Sequence, residues 1–217
     1  KKYIDKYYGS LKNQNHSMAK IMPTKFKTKD FFEVYEDVSK PVIFISFKKP
    51  KFNEKNIRQL YAFDLFLEIM DGGYSSRLTE NLVNIKKVAL DTFISNDTYN
   101  QHPNLIIIGG TPRGDVKPMD LKSYLLEQFS QEAIETITEE ELLSAKSRIK
   151  ANNVYKFDSV FYQAMQVGML ETKNISWKLL DSYYTLSESI TLDEIKAAGK
   201  AYITTKKPLI TVLKPKE

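Results

Sequence analysis

The sequence predicts an α+β fold: a mostly antiparallel sheet with helices packed on one face. Three observations carry that reading. Strand-like segments rich in aromatic and β-branched residues crowd the first half of the chain, and amphipathic helical segments fill the second. The apolar run Pro208 to Leu213 (PLITVL) then closes the chain as a strand. Strands and helices do not alternate, so a doubly wound parallel sheet is not expected.

In chain order, Lys2 to Leu11 reads as the last helical turns of a preceding element, ended by Gly9. A polar stretch from Lys12 to Lys29 follows, and residues 1–29 are therefore assigned to the end of a preceding half plus a linker. Residues 30–217 form the remaining domain. Phe31 to Glu36 and Pro41 to Phe47 read as two neighbouring strands separated by Asp37 to Lys40. From Asn53 to Met70 the apolar positions cover so much of the circumference that this helix is expected to be largely buried. Gly72-Gly73 ends it, and Ser75 or Ser76 can cap a second helix through Leu82.

Val88 to Ser95 and Asn104 to Gly110 supply two more strands, and Met119 to Ile134 is amphipathic. Capping boxes at Thr138-Glu139-Glu140-Glu141 and Thr191-Leu192-Asp193-Glu194 mark two helix starts. In each, the threonine oxygen takes a backbone N–H three residues on, while the glutamate reaches back to the threonine amide. One long helical region runs from Glu139 toward Leu170, a shorter one from Ser176 to Ser187, and another from Leu192 to Tyr202.

Composition removes several chemistries. The 217 residues contain no cysteine, which excludes disulfides, thiolate metal sites and cysteine nucleophiles together. The net charge of +5 arises from basic residues scattered among acids, without a basic helical stripe, so nucleic acid is not an expected partner. No apolar run reaches the ~18 residues of a membrane span. The first residue is Lys, and the chain reads as a piece of something longer with no signal peptide.

Two histidines, His16 and His102, sit in polar, loop-like contexts with no second ligand at helical spacing, so no metal site is expected in this chain. A serine triad would have to recruit one of them, and no Gly-x-Ser-x-Gly elbow exists. Glu139, Glu140 and Glu141 fan out around a helix and cannot converge on one substrate atom. Asp71 to Arg77 has the composition of a phosphate cradle but follows a helix and lacks the lysine of that motif, so a tight helix-to-helix turn is the better account. The tripeptide Arg113-Gly114-Asp115 and the sequons at Asn15, Asn96 and Asn174 are at the level of chance.

The order of the pieces resembles the C-terminal half of the insulinase-like (pitrilysin-type) zinc metallopeptidases, the family that includes mitochondrial processing peptidase subunits. The most specific segment is Leu65 to Met70 running into Asp71-Gly72-Gly73-Tyr74-Ser75-Ser76-Arg77-Leu78. Lys6-Tyr7-Tyr8-Gly9, Ile137 to Leu142, Gln163 to Gly168, and Ile190 to Tyr202 followed by Thr211 to Pro215 match further family segments in the correct order. The resemblance implies two structurally alike α+β halves in the full protein. It also implies that the zinc motif His-x-x-Glu-His belongs to the missing first half or to a partner subunit.

On the same resemblance, active members carry an arginine and a tyrosine after the Ser-Ser-Arg-Leu turn that hold substrate near the metal. Val83 and Leu90 occupy those positions here, so no catalytic, substrate-binding or metal-ligating residue is assigned to this chain. Arg77, Tyr74 and Tyr99 are the weaker candidates for substitutes. The expected function is therefore a peptidase C-terminal domain that walls a peptide chamber and is inactive as a fragment, with no cofactor of its own. A non-catalytic structural or interaction subunit of the same fold is the alternative. The expected partners are the preceding half or a homologous subunit, together with a peptide substrate, and the family favours a bacterial periplasm or cell envelope.

Overall fold

The computed structural model describes residues 1–12, 30–100, 102 and 104–216, with the side chains at 153–157 and 181 left aside. His16, residues 13–29 of the polar stretch and the Asn15 sequon within it lie outside the described residues. Five strands form one sheet: β1 (Phe31–Glu36), β2 (Val42–Lys49), β3 (Ala89–Ser95), β4 (Asn104–Pro112) and β5 (Leu209–Pro215). Their spatial order is β1-β5-β2-β4-β3. All pairings are antiparallel except β1 with β5, which is parallel. The mixed α+β class with a mostly antiparallel sheet is what the sequence predicts.

β1 and β2, expected as neighbours, are separated by β5. The reason is pairing capacity. β5 offers Ile210 and Val212 to the buried side and bonds strands on both edges, so the last strand inserts where a short hairpin would otherwise close. The parallel contact between β1 and β5 is possible because the intervening chain is long.

Alternation along the strands sorts the two faces. Ile43, Ile45 and Phe47 of β2, Ile106 and Ile108 of β4, and Ile210 and Val212 of β5 are all buried on one side. Their neighbours on the other side, including Phe44 and Ile107, are half-buried, and Phe44 meets Phe93 of β3 edge to face at 5.7 Å. Helices cover only the first side among the described residues.

That cover is built around α2 (Ile57–Asp71), whose nine buried residues occupy nearly its whole circumference. A 3₁₀ turn at Glu54–Asn56 leads into it, capped reciprocally by Asn53 and Asn56. α2 packs on β3 and is enclosed by α5 (Glu139–Phe157), α7 (Leu179–Glu188) and α8 (Leu192–Gly199), while α3 (Pro118–Glu127) covers β2 and β4. α1 (Lys2–Tyr8), α4 (Gln131–Glu135) and α6 (Val160–Thr172) complete the set. No described helix is long and apolar enough to cross a membrane.

Two expected helices are divided. Met119 to Ile134 splits into α3 and α4 because the Ser130 side chain accepts the Ala133 N–H and starts a new helix. The long region from Glu139 breaks at Asp158, where Ser159 caps α6 through the Tyr162 N–H. The segment after the Ser-Ser-Arg-Leu turn extends past Leu82 as a π-helix at Thr79–Ile85, and Leu192 to Tyr202 also ends in a π-turn at Lys200–Thr204.

Tight packing inside this layer gives a paired expectation. A Cβ on Gly199 would lie 2.7 Å from the Phe66 ring, which is itself wedged against Phe63 and Phe129. Gly199→Ala is expected to destabilise the fold by about 1–3 kcal/mol through overpacking. Gly168→Ala, in open space within α6, is expected to stabilise by up to about 1 kcal/mol through helix propensity. Urea unfolding midpoints of the two variants check both signs.

Candidate functional site

The glycine turn after α2 is built by conformational demand. Gly73 has φ +141°, a region L side chains avoid, and a Cβ on Gly72 would sit 2.2 Å from the Glu68 carbonyl. The turn throws Tyr74 into solvent, 95% exposed, and buries Ser76, whose amide bonds the Gly73 carbonyl at 3.0 Å. This is a helix-to-helix turn, as expected from its composition.

Arg77 faces inward from this turn. Its Nε and Nη2 donate to the two carboxylate oxygens of Glu141 at 2.5 and 2.8 Å. Its remaining N–H groups reach the Ala133 and Thr136 carbonyls and the Thr136 hydroxyl, each at 2.9 Å. All five donors of the guanidinium are engaged, so none is left for a peptide carbonyl. Glu141 is also the reciprocal partner of Thr138 in the α5 capping box; burial raises its carboxyl, but Arg77 and Thr138 together hold it below the ordinary range.

Val83 lies in the π-helix, half-buried against the core. Leu90 sits at the irregularity between Ala89 and Asp91 in β3, where one residue has no partner across the ladder. Neither can donate a hydrogen bond from its side chain. Tyr99 is turned away from this region: its hydroxyl meets that of Tyr61 at 2.7 Å in a half-buried aromatic group. Burial pushes Tyr61 up to about 12 and Tyr99 higher still, so neither is a proton donor matched to neutral chemistry. His102 is exposed in the β3–β4 connection, with its amide on the Asn100 side chain at 3.1 Å.

A polar network that sequence reasoning missed lies under that same connection. Lys49, inward-facing at the end of β2 and 2% exposed, donates to Asn96 Oδ1 at 2.6 Å and to the Asp97 carbonyl at 3.3 Å. Asn96 Nδ2 donates to Asp64 at 2.8 Å, and the Thr98 hydroxyl donates to the same carboxylate at 2.6 Å. Both ends of the Asn96 amide are therefore committed inside the fold. Burial raises Asp64 to about 6 despite Lys49, Thr98 and Asn96, and burial lowers Lys49.

The network borders a pocket of about 440 Å³ lined also by Glu68, Asn152, Gln166, Tyr183 and Tyr184. Its acids are matched: Asp64 by Lys49 through Asn96, Glu68 by Arg148 at 2.9 Å, and Asp97 by Lys173 at 2.9 Å. Among the described residues no group of three or more His, Cys, Asp or Glu could hold a metal ion. The residues described do not fit a zinc site. The arrangement holds the β3–β4 connection onto α2. The sequence signal for it is a lone aspartate inside the apolar stretch Leu60 to Leu67.

With this geometry established, comparison with known proteins is decisive. The family profile described as the peptidase M16 inactive domain matches residues 1–149. The chain belongs to that family. It is the inactive C-terminal type of domain found in M16 zinc protease-like proteins, as the insulinase-like resemblance implies.

An uncharacterized zinc protease of Rickettsia felis is 23% identical over 166 residues, covering 76% of this chain and 38% of that protein. A protease from Helicobacter pylori shares the fold with a TM-score of 0.81 at 21% identity, covering 99% of this chain and 51% of its own. The periplasmic protease PqqL from Escherichia coli aligns with a TM-score of 0.68 at 17% identity, over 98% of this chain and 23% of its own. The chain thus spans about half, or less, of the length of these relatives.

Two expectations follow from the site. Arg77→Lys, which keeps the charge but loses the planar fork, is expected to cost about 1–3 kcal/mol, and Glu141→Gln in the same background to cost little more. A double-mutant cycle by chemical denaturation checks the coupling. For Asp64, a raised folded value means that its contribution to stability is present below the ordinary carboxylate range and is lost as pH rises through about 6. Asp64→Asn is expected to flatten the stability change between about pH 4 and 6, and carboxyl NMR should place the wild-type midpoint near 6.

Proposed function

We propose that this chain is the non-catalytic half of a two-half zinc protease, walling a chamber that receives unfolded peptide, with zinc held by the preceding half or by a homologous subunit. In this reading residues 1–29 join the halves and residues 30–217 form the wall. The observation that carries it is the one-sided sheet. Helices cover the face of Ile43, Ile45 and Ile108, whereas the face of Phe44, Phe93 and Ile107 stays free of helices among the described residues. An apolar but partly wetted sheet surface suits the apolar side chains of an unfolded peptide.

The contribution to chemistry would be shape. Val83 and Leu90 provide no hydrogen-bond donor, and the Arg77 guanidinium is fully engaged, so transition-state charge would have to be met from the other half. The same three residues favour a second reading, a purely structural or interaction subunit of this fold. A periplasmic or envelope location is part of the proposal, supported by the likeness to PqqL.

Zinc and turnover separate the readings. The 217-residue chain is expected to carry less than about 0.1 zinc per molecule by elemental analysis and to cleave no unfolded peptide. The longer polypeptide is expected to bind one zinc per chain and to lose hydrolysis with chelator. Stoichiometric zinc on the short chain would overturn the proposal, and a zinc-free, inactive longer polypeptide would favour the structural subunit. In an active longer polypeptide, Val83→Arg with Leu90→Tyr is expected to raise turnover or leave it unchanged. A loss of folding would instead place both side chains in essential packing.

A further inference from the structure

α6 carries its apolar residues on the wrong side for a helix that ends its life in water. Tyr162, Gln166, Val167 and Leu170 face the body of the domain, half-buried or buried, and two of these four are polar. The outward face repeats at helical spacing through Val160, Phe161, Ala164, Met165, Gly168 and Met169. Val160 and Phe161 are each 80% exposed, and Met165 and Met169 are 40% and 46% exposed. From Ser159 to Leu170 there is no charged residue, in a chain that is 27% charged. Isolated exposed apolar side chains are ordinary, but a continuous uncharged face of this kind marks a contact surface.

We propose that the outward face of α6 is the seat of the second half of the same polypeptide. The proposal rests on the two-half reading above. Its occupant follows from three observations. The Helicobacter pylori protease, matched over 99% of this chain, has about as many residues again outside the match, enough for one further domain. The lack of charge from Ser159 to Leu170 fits a contact that stays closed, because obligate interfaces are more hydrophobic than transient ones. Ala164 and Gly168, with nothing within 4 Å of a Cβ built on Gly168, leave room for a packed element to approach the backbone closely. A second uncovered stripe, Tyr3, Ile4, Tyr7, Tyr8 and Leu11, each 64–72% exposed, lies along α1 and its continuation, so more than one surface awaits the same large cover.

The 217 residues contain no cysteine, so a single introduced thiol reports on this face alone in this chain, and any cysteine of the longer polypeptide is replaced by serine before labelling. Met165→Cys and the smaller change Ala164→Cys probe α6, and Ser123→Cys on exposed α3 is the reference. Maleimide labelling rates are measured in the 217-residue chain and in the longer natural polypeptide. In the short chain all three thiols are expected to react at rates within a few-fold of each other. In the longer polypeptide the α6 thiols are expected to slow by about tenfold or more while Cys reactivity at 123 holds. Unchanged labelling at 164 and 165, in a longer polypeptide shown by limited proteolysis to contain a second folded half, overturns the inference and leaves the two-half reading standing. Protection that appears in the short chain and grows with its concentration makes a second copy the occupant and also overturns it. A longer polypeptide without a second folded half removes both.

Discussion

The arrangement depends on how a helix that is apolar all round is given a direction. α2 is buried on nearly every side, so burial alone does not fix its rotation or register. Its ends do. Arg58, in its first turn, donates to both carboxylate oxygens of Glu194 at 2.5 and 2.8 Å and to the Ser189 hydroxyl and carbonyl at 2.9 Å. Arg77, just past its last turn, does the same with Glu141 and the carbonyls of Ala133 and Thr136. Each glutamate closes a capping box as the third helical residue, at the start of α8 and α5 respectively. One planar cation thus satisfies a capping carboxylate and the loose carbonyls of the preceding helix end together. The pairing with Arg58 and Thr191 lowers Glu194 to about 2, so this device is fully present above the ordinary carboxylate range and is lost only as pH falls toward about 2.

That device explains what was legible beforehand. Thr138 and Thr191 could be identified as helix starts because a capping box is local, written in four consecutive residues. The strands were legible for the same reason. The adjacency of β1 to β5 was not, because pairing between residues near 34 and near 213 is decided by which edges remain open once the sheet assembles. The breaks at Ser130 and Ser159 were hidden because apolar spacing continues across them, and one hydroxyl on one amide is enough to restart a helix.

The polar site was illegible in a different way. Lys49, Asp64 and Asn96 are distant in sequence, and each alone is an ordinary residue. Their meaning comes from the sheet, which aims Lys49 inward in the register of Ile43, Ile45 and Phe47. A buried ammonium needs acceptors, and the β3–β4 connection supplies them by folding over α2. The turn residues that carry the family resemblance are legible in sequence because Gly73 meets a backbone constraint that other residue types resist.

Two of the uncovered apolar surfaces, the bare sheet face and α6, make different demands, and that difference bears on the proposed division of labour. On the bare sheet face Phe44 and Phe93 shield each other, and Gly109 admits the Phe93 ring so closely that a Cβ there would lie 2.4 Å from it. Such a surface is already half satisfied and can stand in contact with water. On α6 nothing comparable occurs: Val160 and Phe161 stand clear of the domain with no charge nearby on the helix. A face of that kind costs solubility whenever it is open, so it suits a permanent neighbour, while the sheet suits a transient one. In the proposed two-half reading, these surfaces lie on different layers of one domain, so that α6 holds the half in place and the sheet meets substrate.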